Sequence, residues 1–190
     1  MTKAFASPVT QGPLQPGDAL LVVDLQRDYM PGGALAVPLG EQVLGPVNAC
    51  LDRCAALWLP VFASRDWHPQ GHSSFHGAGG TWPPHCVAGS EGAAFARGLR
   101  LPRQTELLSK GMARERDVLS AFDGTPLGER LSALRVRRLV VAGLATDHGV
   151  LATVLDALRL GFAVAVPLEG VAAVDLQPGD GERALVRMQA

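Results

Sequence analysis

Charge is scarce in this sequence, cysteine is scarcer, and an apolar run long enough to cross a membrane is missing altogether. Charged residues make up 18%, below the usual quarter of a globular chain, so a large part of the 190 residues must be buried. The net charge of −1 excludes a general attraction to nucleic acid or to an anionic membrane surface. The cations are scattered except in "RVRRL" (Arg135 to Leu139), which reads as the flank of a strand. No stretch approaches the roughly 18 apolar residues of a spanning helix. "MTKAFASPVTQGPLQPG" has no continuous apolar core of a signal peptide, so a cytoplasmic chain is expected. Cys50, Cys54 and Cys86 form an odd set in a chain too long to need disulfide staples, which favours a reducing compartment. Cys50 and Cys54 lie four apart on one helix face and read as small buried residues rather than metal ligands.

What is present is rhythm. Residues 1–17, rich in Pro, Gly and Gln, read as a flexible leader, and residues 18–190 as one domain. Within it, "ALLVVD", "LPVFASRD", "TELLSKG", "RRLVVAGLA" and "FAVAVPLE" read as strands. "LGEQVLGPVNACLDRCAAL", "TDHGVLATVLDALRLG" and "PGDGERALVRMQA" have helical spacing, the second with Thr146 or Asp147 as its cap. Continuous apolar strands alternating with helices imply a mainly parallel central sheet flanked by helices, a three-layer α/β sandwich. The region from about 66 to 103 breaks the rhythm. It holds His68, His72, His76 and His85 together with Trp67 and Trp82, and a loop of that length inside a compact domain is usually functional.

Parallel sheets bind ligands beyond the carboxyl ends of their strands. Reading those ends brings Asp24, Asp66, Lys110 and the turn from Ala145 to Gly149 to one edge. "RDWHPQGH" and "WPPHC" add His68, His72 and His85, and two imidazoles with a carboxylate suit Zn²⁺, Fe²⁺ or Mn²⁺ with positions left for water or substrate. Backbone N–H groups at the start of the helix after "GLATD" can hold an oxyanion.

Several motifs in order, "LLVVDLQRDYMPGGALAV", "ASRDWHPQGHSSF", "TWPPHCVAGSEGAAF", "SKG", "VVAGLATDHGVLATVLDALRLGF" and "AVDLQPGDGERALVRM", resemble the nicotinamidase/isochorismatase-like cysteine hydrolases over about residues 19–188. The resemblance is strongest to the branch that hydrolyses nicotinamide and pyrazinamide. It implies Asp24 as the proton-shuttling acid and base, with Lys110 as its electrostatic partner. It also implies Asp66, His68 and His85 as ligands of one divalent metal, zinc foremost, with His72 a fourth that varies across the family. Tyr29 and Trp82 become aromatic walls of a site for a small pyridine- or pyrazine-type carboxamide, and Tyr29 brings a hydroxyl where Phe is common. Ala145 and Gly149 supply the oxyanion N–H groups, with a cis peptide at Leu144–Ala145. Self-association is common in such enzymes and compatible with the apolar excess.

One departure outweighs the matches. The family places its nucleophilic cysteine where this sequence has Gly149, in "Asp147, His148, Gly149, Val150". Cys86 reads as packing, Cys50 and Cys54 as remote, and His148 is expected to point about 100° around the helix from Gly149. The chain is therefore expected to be inactive or very slow. Three accounts stand: an introduced inactivation, a homologue that retains binding alone, and water activated by Asp24. A non-catalytic small-ligand-binding protein and an amidase for another carboxamide are the rival functions.

Overall fold

The protein is described by a computed structural model covering residues 9, 10 and 12–190. Its strands are β1 (Val9–Thr10), β2 (Asp18–Val23), β3 (Val61–Asp66), β4 (Glu106–Lys110), β5 (Arg138–Leu144), β6 (Ala163–Ala165) and β7 (Val171–Ala172). Its α-helices are α1 (Leu44–Leu57), α2 (Leu127–Ala133), α3 (Leu151–Arg159) and α4 (Asp180–Gln189). The sheet runs β1-β6-β5-β2-β3-β4, with β7 pairing the end of β5, and every pairing is parallel.

The period of two along each strand divides the core into two layers. On β2, Ala19, Leu21 and Val23 join Leu139 and Val141 of β5 against Leu131 of α2, Val154 of α3 and Met188 of α4. Leu20 and Val22 face the other way, with Val140 and Ala142, onto Val47, Leu51 and Cys54 of α1. Both faces are covered, as the unbroken apolar strands require.

The elements depart from the sequence reading at four places. The first helix starts late: Gly40–Val43 is a 3-10 turn and the α-helix begins at Leu44. Pro46 has no N–H, and its ring excludes the carbonyl of residue 42, so the α-ladder cannot run further back. The strand expected over "FAVAVPLE" stops at Ala165, two residues before Pro167 ends any ladder. Within the segment read as leader, Val9–Thr10 pairs with Val164 and Ala165 of β6; residues 1–8 and 11 lie outside the described residues. Helix α2 goes unassigned by sequence, being seven residues behind a Thr-Pro turn. Among the described residues, no helix is long and apolar enough to cross a membrane.

Candidate active site

The carboxyl ends of β2, β3 and β4 deliver Asp24, Asp66 and Lys110 to one buried point. Lys110 Nζ lies 2.9 Å from Asp24 Oδ2 and 2.7 Å from Asp66 Oδ1. The Asp24 backbone leaves β2 with φ of 47°, which swings its side chain over the sheet edge. There Ser64 Oγ of β3 donates to Asp24 Oδ1 at 2.7 Å. Asp66 also accepts from Tyr29 Oη at 2.5 Å. Gln26, fully buried, clamps the Asp66 backbone from both sides: its Oε1 accepts from the Asp66 N–H (2.7 Å) and its Nε2 donates to the Asp66 carbonyl (2.8 Å).

One ammonium between two carboxylates splits their acidities. Burial and the neighbouring Asp66 charge push Asp24 up to about 6, against the pull of Lys110. Asp66 is buried too, yet Lys110, His68 and the Tyr29 hydroxyl hold it below the usual carboxylate range. Lys110 is raised despite its burial, because both carboxylates favour its charge. Near neutrality the geometry therefore presents a charged lysine, an ionised Asp66, and an Asp24 poised to take or give a proton.

Asp66, His68 and His85 converge so that one donor atom from each lies within 4.8 Å of the others. The Nδ1 of His68 donates to the Gly111 carbonyl (3.0 Å) and that of His85 to the Pro83 carbonyl (2.8 Å). A carbonyl can only accept, so both rings carry a proton on Nδ1, and Nε2 is the nitrogen left to each for a metal. This donor set fits a borderline divalent cation with open coordination positions. Gly111, at φ 62°, does more than supply a carbonyl: a Cβ there would lie 2.5 Å from His68 Cε1. Gly111→Ala should therefore displace the His68 ring and weaken zinc binding by about 10–100-fold, read by competition with a coloured chelator on protein with unchanged far-UV circular dichroism.

His72, the candidate fourth ligand, is not brought into that cluster. Its Nδ1 is bonded to Ser74 Oγ (2.8 Å) and its Nε2 to the Arg116 carbonyl (3.0 Å), so both nitrogens are engaged by the protein. Instead it stacks on His68 with ring centroids 4.1 Å apart and supports that ring.

A single pocket joins these groups to the turn after β5, with Tyr29, Trp82, His148 and Gly149 among its walls. The Leu144–Ala145 peptide is cis. The turn is not the capped α-helix that the sequence suggests. Thr146–Val150 forms a π-turn in which the Val150 N–H donates to the Ala145 carbonyl (3.1 Å), and no side chain caps it. Asp147 faces away and accepts the backbone N–H groups of Val174 (3.0 Å) and Asp175 (2.9 Å), which ties the wall residue Val174 to the turn; against its burial, the His148 ring and these two N–H groups hold its carboxyl down to about 2. The wider π-turn also alters the expected direction of His148. Its ring lines the same pocket as Gly149, edge-on to Trp82 at 5.6 Å. The Tyr29 hydroxyl, present where Phe is common in the family it resembles, is bonded to Asp66.

Gln26, Ser64, Ser74 and Gly111 escape sequence reasoning because each acts through a neighbour that only the fold supplies. Asp28 belongs with them: its Oδ2 accepts the Cys86 N–H at 2.7 Å and so fixes the backbone beside His85. Cys86 is fully buried, and burial raises its thiol far above the ordinary range, which leaves it no nucleophilic character at neutral pH. Cys54, on α1, is pushed up to about 12 for the same reason.

The pattern of the isochorismatase domain family matches residues 18–190. The nicotinamidase of Escherichia coli (strain K12) is 39% identical over 196 residues, covering 92% of each chain. The pyrazinamidase of Pyrococcus horikoshii, solved in complex with zinc, superposes with a TM-score of 0.87 at 42% identity, over 91% of this chain and 94% of that one. PnC1 from L. infantum, solved with nicotinate, gives 0.83 at 33% identity, over 94% and 92%.

Proposed function

From a chain that belongs to the isochorismatase domain family, with nicotinamidase and pyrazinamidase relatives along its length, we propose a site built for nicotinamide or a similar pyridine or pyrazine carboxamide. The parent reaction is nicotinamide plus water to nicotinate plus ammonia. The observation that carries the reading is the meeting, in one pocket, of the Asp24–Lys110 pair, the Asp66–His68–His85 cluster and the turn at Gly149.

In this reading Tyr29 and Trp82 flank the aromatic ring. Asp66, His68 and His85 would hold one divalent metal, zinc by likeness to the Pyrococcus relative, and such a metal would supply a Lewis-acid site for the ring nitrogen. The backbone N–H groups of Ala145 and Gly149 face the carboxamide oxygen and stabilise charge developing there. Asp24 takes the proton of the attacking group and returns it to the departing amine, while Lys110 keeps the carboxylate anionic at the moment of transfer. Gly149 occupies the register of the nucleophilic cysteine and carries nothing to attack with. This chain is therefore a binder that hydrolyses its ligand slowly at most. The three unpaired thiols accord with a reducing cytoplasm.

Calorimetric titration with nicotinamide tests the reading directly. Zinc-loaded protein should bind it, and chelator-stripped protein or the His85→Ala variant should bind at least about tenfold more weakly. Equal binding with and without metal would remove the metal cluster from the ligand site. Failure of the zinc-loaded protein to bind any pyridine carboxamide would assign the pocket to another ligand.

A further inference from the structure

Three imidazoles line the ligand pocket, and His148 is the one outside the Asp66–His68–His85 cluster. It stands edge-on to Trp82, the wall assigned to the substrate ring, at 5.6 Å. Its Nδ1 is buried, has no hydrogen-bond partner among the described residues, and lies 3.2 Å from Asp147 Oδ1, close enough for a hydrogen bond but not aligned as one. An unpaired buried nitrogen in a native structure calls for a use, and catalytic pairs at rest are often loosely aligned until ligand arrives. The Asp147 carboxylate is fixed by the N–H groups of Val174 and Asp175 and stays charged down to about 2. A fixed anion beside Nδ1 draws the ring proton to that nitrogen and leaves Nε2 as the basic one. Nε2 makes no hydrogen bond among the described residues and is not buried. Other polar groups of the pocket are engaged: Asp24 with Ser64 and Lys110, Tyr29 with Asp66, Ser74 with His72.

We propose that His148, oriented by the Asp147 carboxylate, is the base that draws a proton from water as the water attacks the carboxamide, so that this chain hydrolyses its ligand without a side-chain nucleophile. The inference rests on the carboxamide reading given above. Asp147 is a positioning residue, since it acts through the imidazole and faces away from the pocket. The water oxygen bonds to the carboxamide carbon as one water proton passes to His148 Nε2. The bond from that carbon to the amide nitrogen then breaks. Asp24, which titrates at about 6 and is partly protonated near neutrality, gives its proton to the departing amine. The proton gained by His148 replaces, through solvent, the one Asp24 has given up. Nicotinamide and water thus become nicotinic acid and ammonia with no proton gained or lost. Base and acid are divided between two groups in different surroundings, where a cysteine enzyme uses one carboxylate for both.

The test measures ammonia release from nicotinamide by zinc-loaded full-length protein, made in a host without a nicotinamidase of its own. The parent chain should exceed the rate in zinc-containing buffer by at least about 10³-fold, the catalysis a hydrolase keeps without its nucleophile. His148→Ala and His148→Gln should each lower that rate by about 10²–10⁴-fold, the worth of a positioned base, while calorimetry still shows nicotinamide bound. Glutamine keeps a polar side chain of similar reach but is no base, so a packing or hydrogen-bonding role would survive in it. Added imidazole should restore part of the rate to the alanine variant, where it can replace the missing ring, and none to the glutamine variant. A parent rate no faster than buffer, a glutamine variant as fast as the parent, or an alanine variant that imidazole cannot help overturns the proposal. The Gly149→Cys variant separates the two levels. If it releases ammonia from nicotinamide while the parent stays at the buffer rate, this inference alone has failed. If the variant is also inert and neither protein binds nicotinamide, the carboxamide reading has failed and takes the inference with it.

Discussion

Replacing Gly149 by cysteine is expected to raise nicotinamide hydrolysis by at least about 10³-fold, since removing the nucleophile from a hydrolase costs up to on the order of 10⁶ in turnover. The backbone at Gly149 is not in the left-handed region, so a side chain is conformationally allowed there. Its Cβ would lie 3.1 Å from Asp24 Oδ2, which must yield by a few tenths of an ångström. The same contact sets the new thiol against its base. Adding Asp24→Asn to the cysteine variant should remove about 10²–10⁴ of the gain, the usual worth of a positioned acid and base. The rate should also fall on the acid side as Asp24, which titrates at about 6 in the parent chain, takes up a proton and ceases to be a base. With a thiol present, the apparent values belong to the coupled set rather than to Asp24 alone. Ammonia release across pH 5–8, with metal content checked, reads all three effects. A folded, zinc-loaded cysteine variant that binds nicotinamide and turns it over no faster than the parent would end the assignment of Gly149 to the nucleophile's position. A gain in rate that survives loss of Asp24 would end the assignment of Asp24 to proton transfer.

Lys110→Met should be the most destabilising single change at this site. Lys110 is almost fully buried and is the ammonium shared by Asp24 and Asp66. Removing one partner of a buried ion pair typically costs about 3–5 kcal/mol, because the charge left behind has lost its compensation. Here two carboxylates are left behind. For a chain of this length that loss corresponds to a Tm lower by roughly 10 °C. The pH dependence has a definite sign. Without the lysine, both carboxyls should have folded pKa values raised above their unfolded ones, so they cost the folded state nothing at low pH and destabilise it progressively as pH rises from the unfolded values up to the raised ones. The gap between variant and parent should therefore be widest near pH 8 and narrow toward pH 5. Zinc, by compensating Asp66, should recover part of it. Thermal unfolding of the metal-free and zinc-loaded proteins across that range checks both statements. A loss below about 1 kcal/mol, or one independent of pH, would show that the lysine is not what holds the two carboxylates.

Much of this was written in the chain. Continuous apolar runs such as "ALLVVD" and "RRLVVAGLA" specify strands covered on both faces, and parallel strands bring their carboxyl ends to one edge. That is why Asp24, Asp66 and Lys110, far apart in sequence, read as neighbours before any coordinates. The short spacing of Asp66 and His68 was legible for the same reason, since an extended backbone carries both side chains to one place.

Other features depend on contacts no spacing encodes. His72 and His85 look alike in sequence, and only the fold directs both nitrogens of one to Ser74 and Arg116 while bringing the other into the cluster with Asp66 and His68. Asp147 has the sequence of a helix cap, yet Val174 and Asp175 claim its carboxylate, the π-turn forms without it, and His148 faces the pocket. Hydrophobic periodicity is a property of neighbouring residues and survives in the sequence. The direction of a polar side chain is decided by whichever distant donor or acceptor the folded chain brings within about 3 Å, and that belongs to the tertiary structure alone.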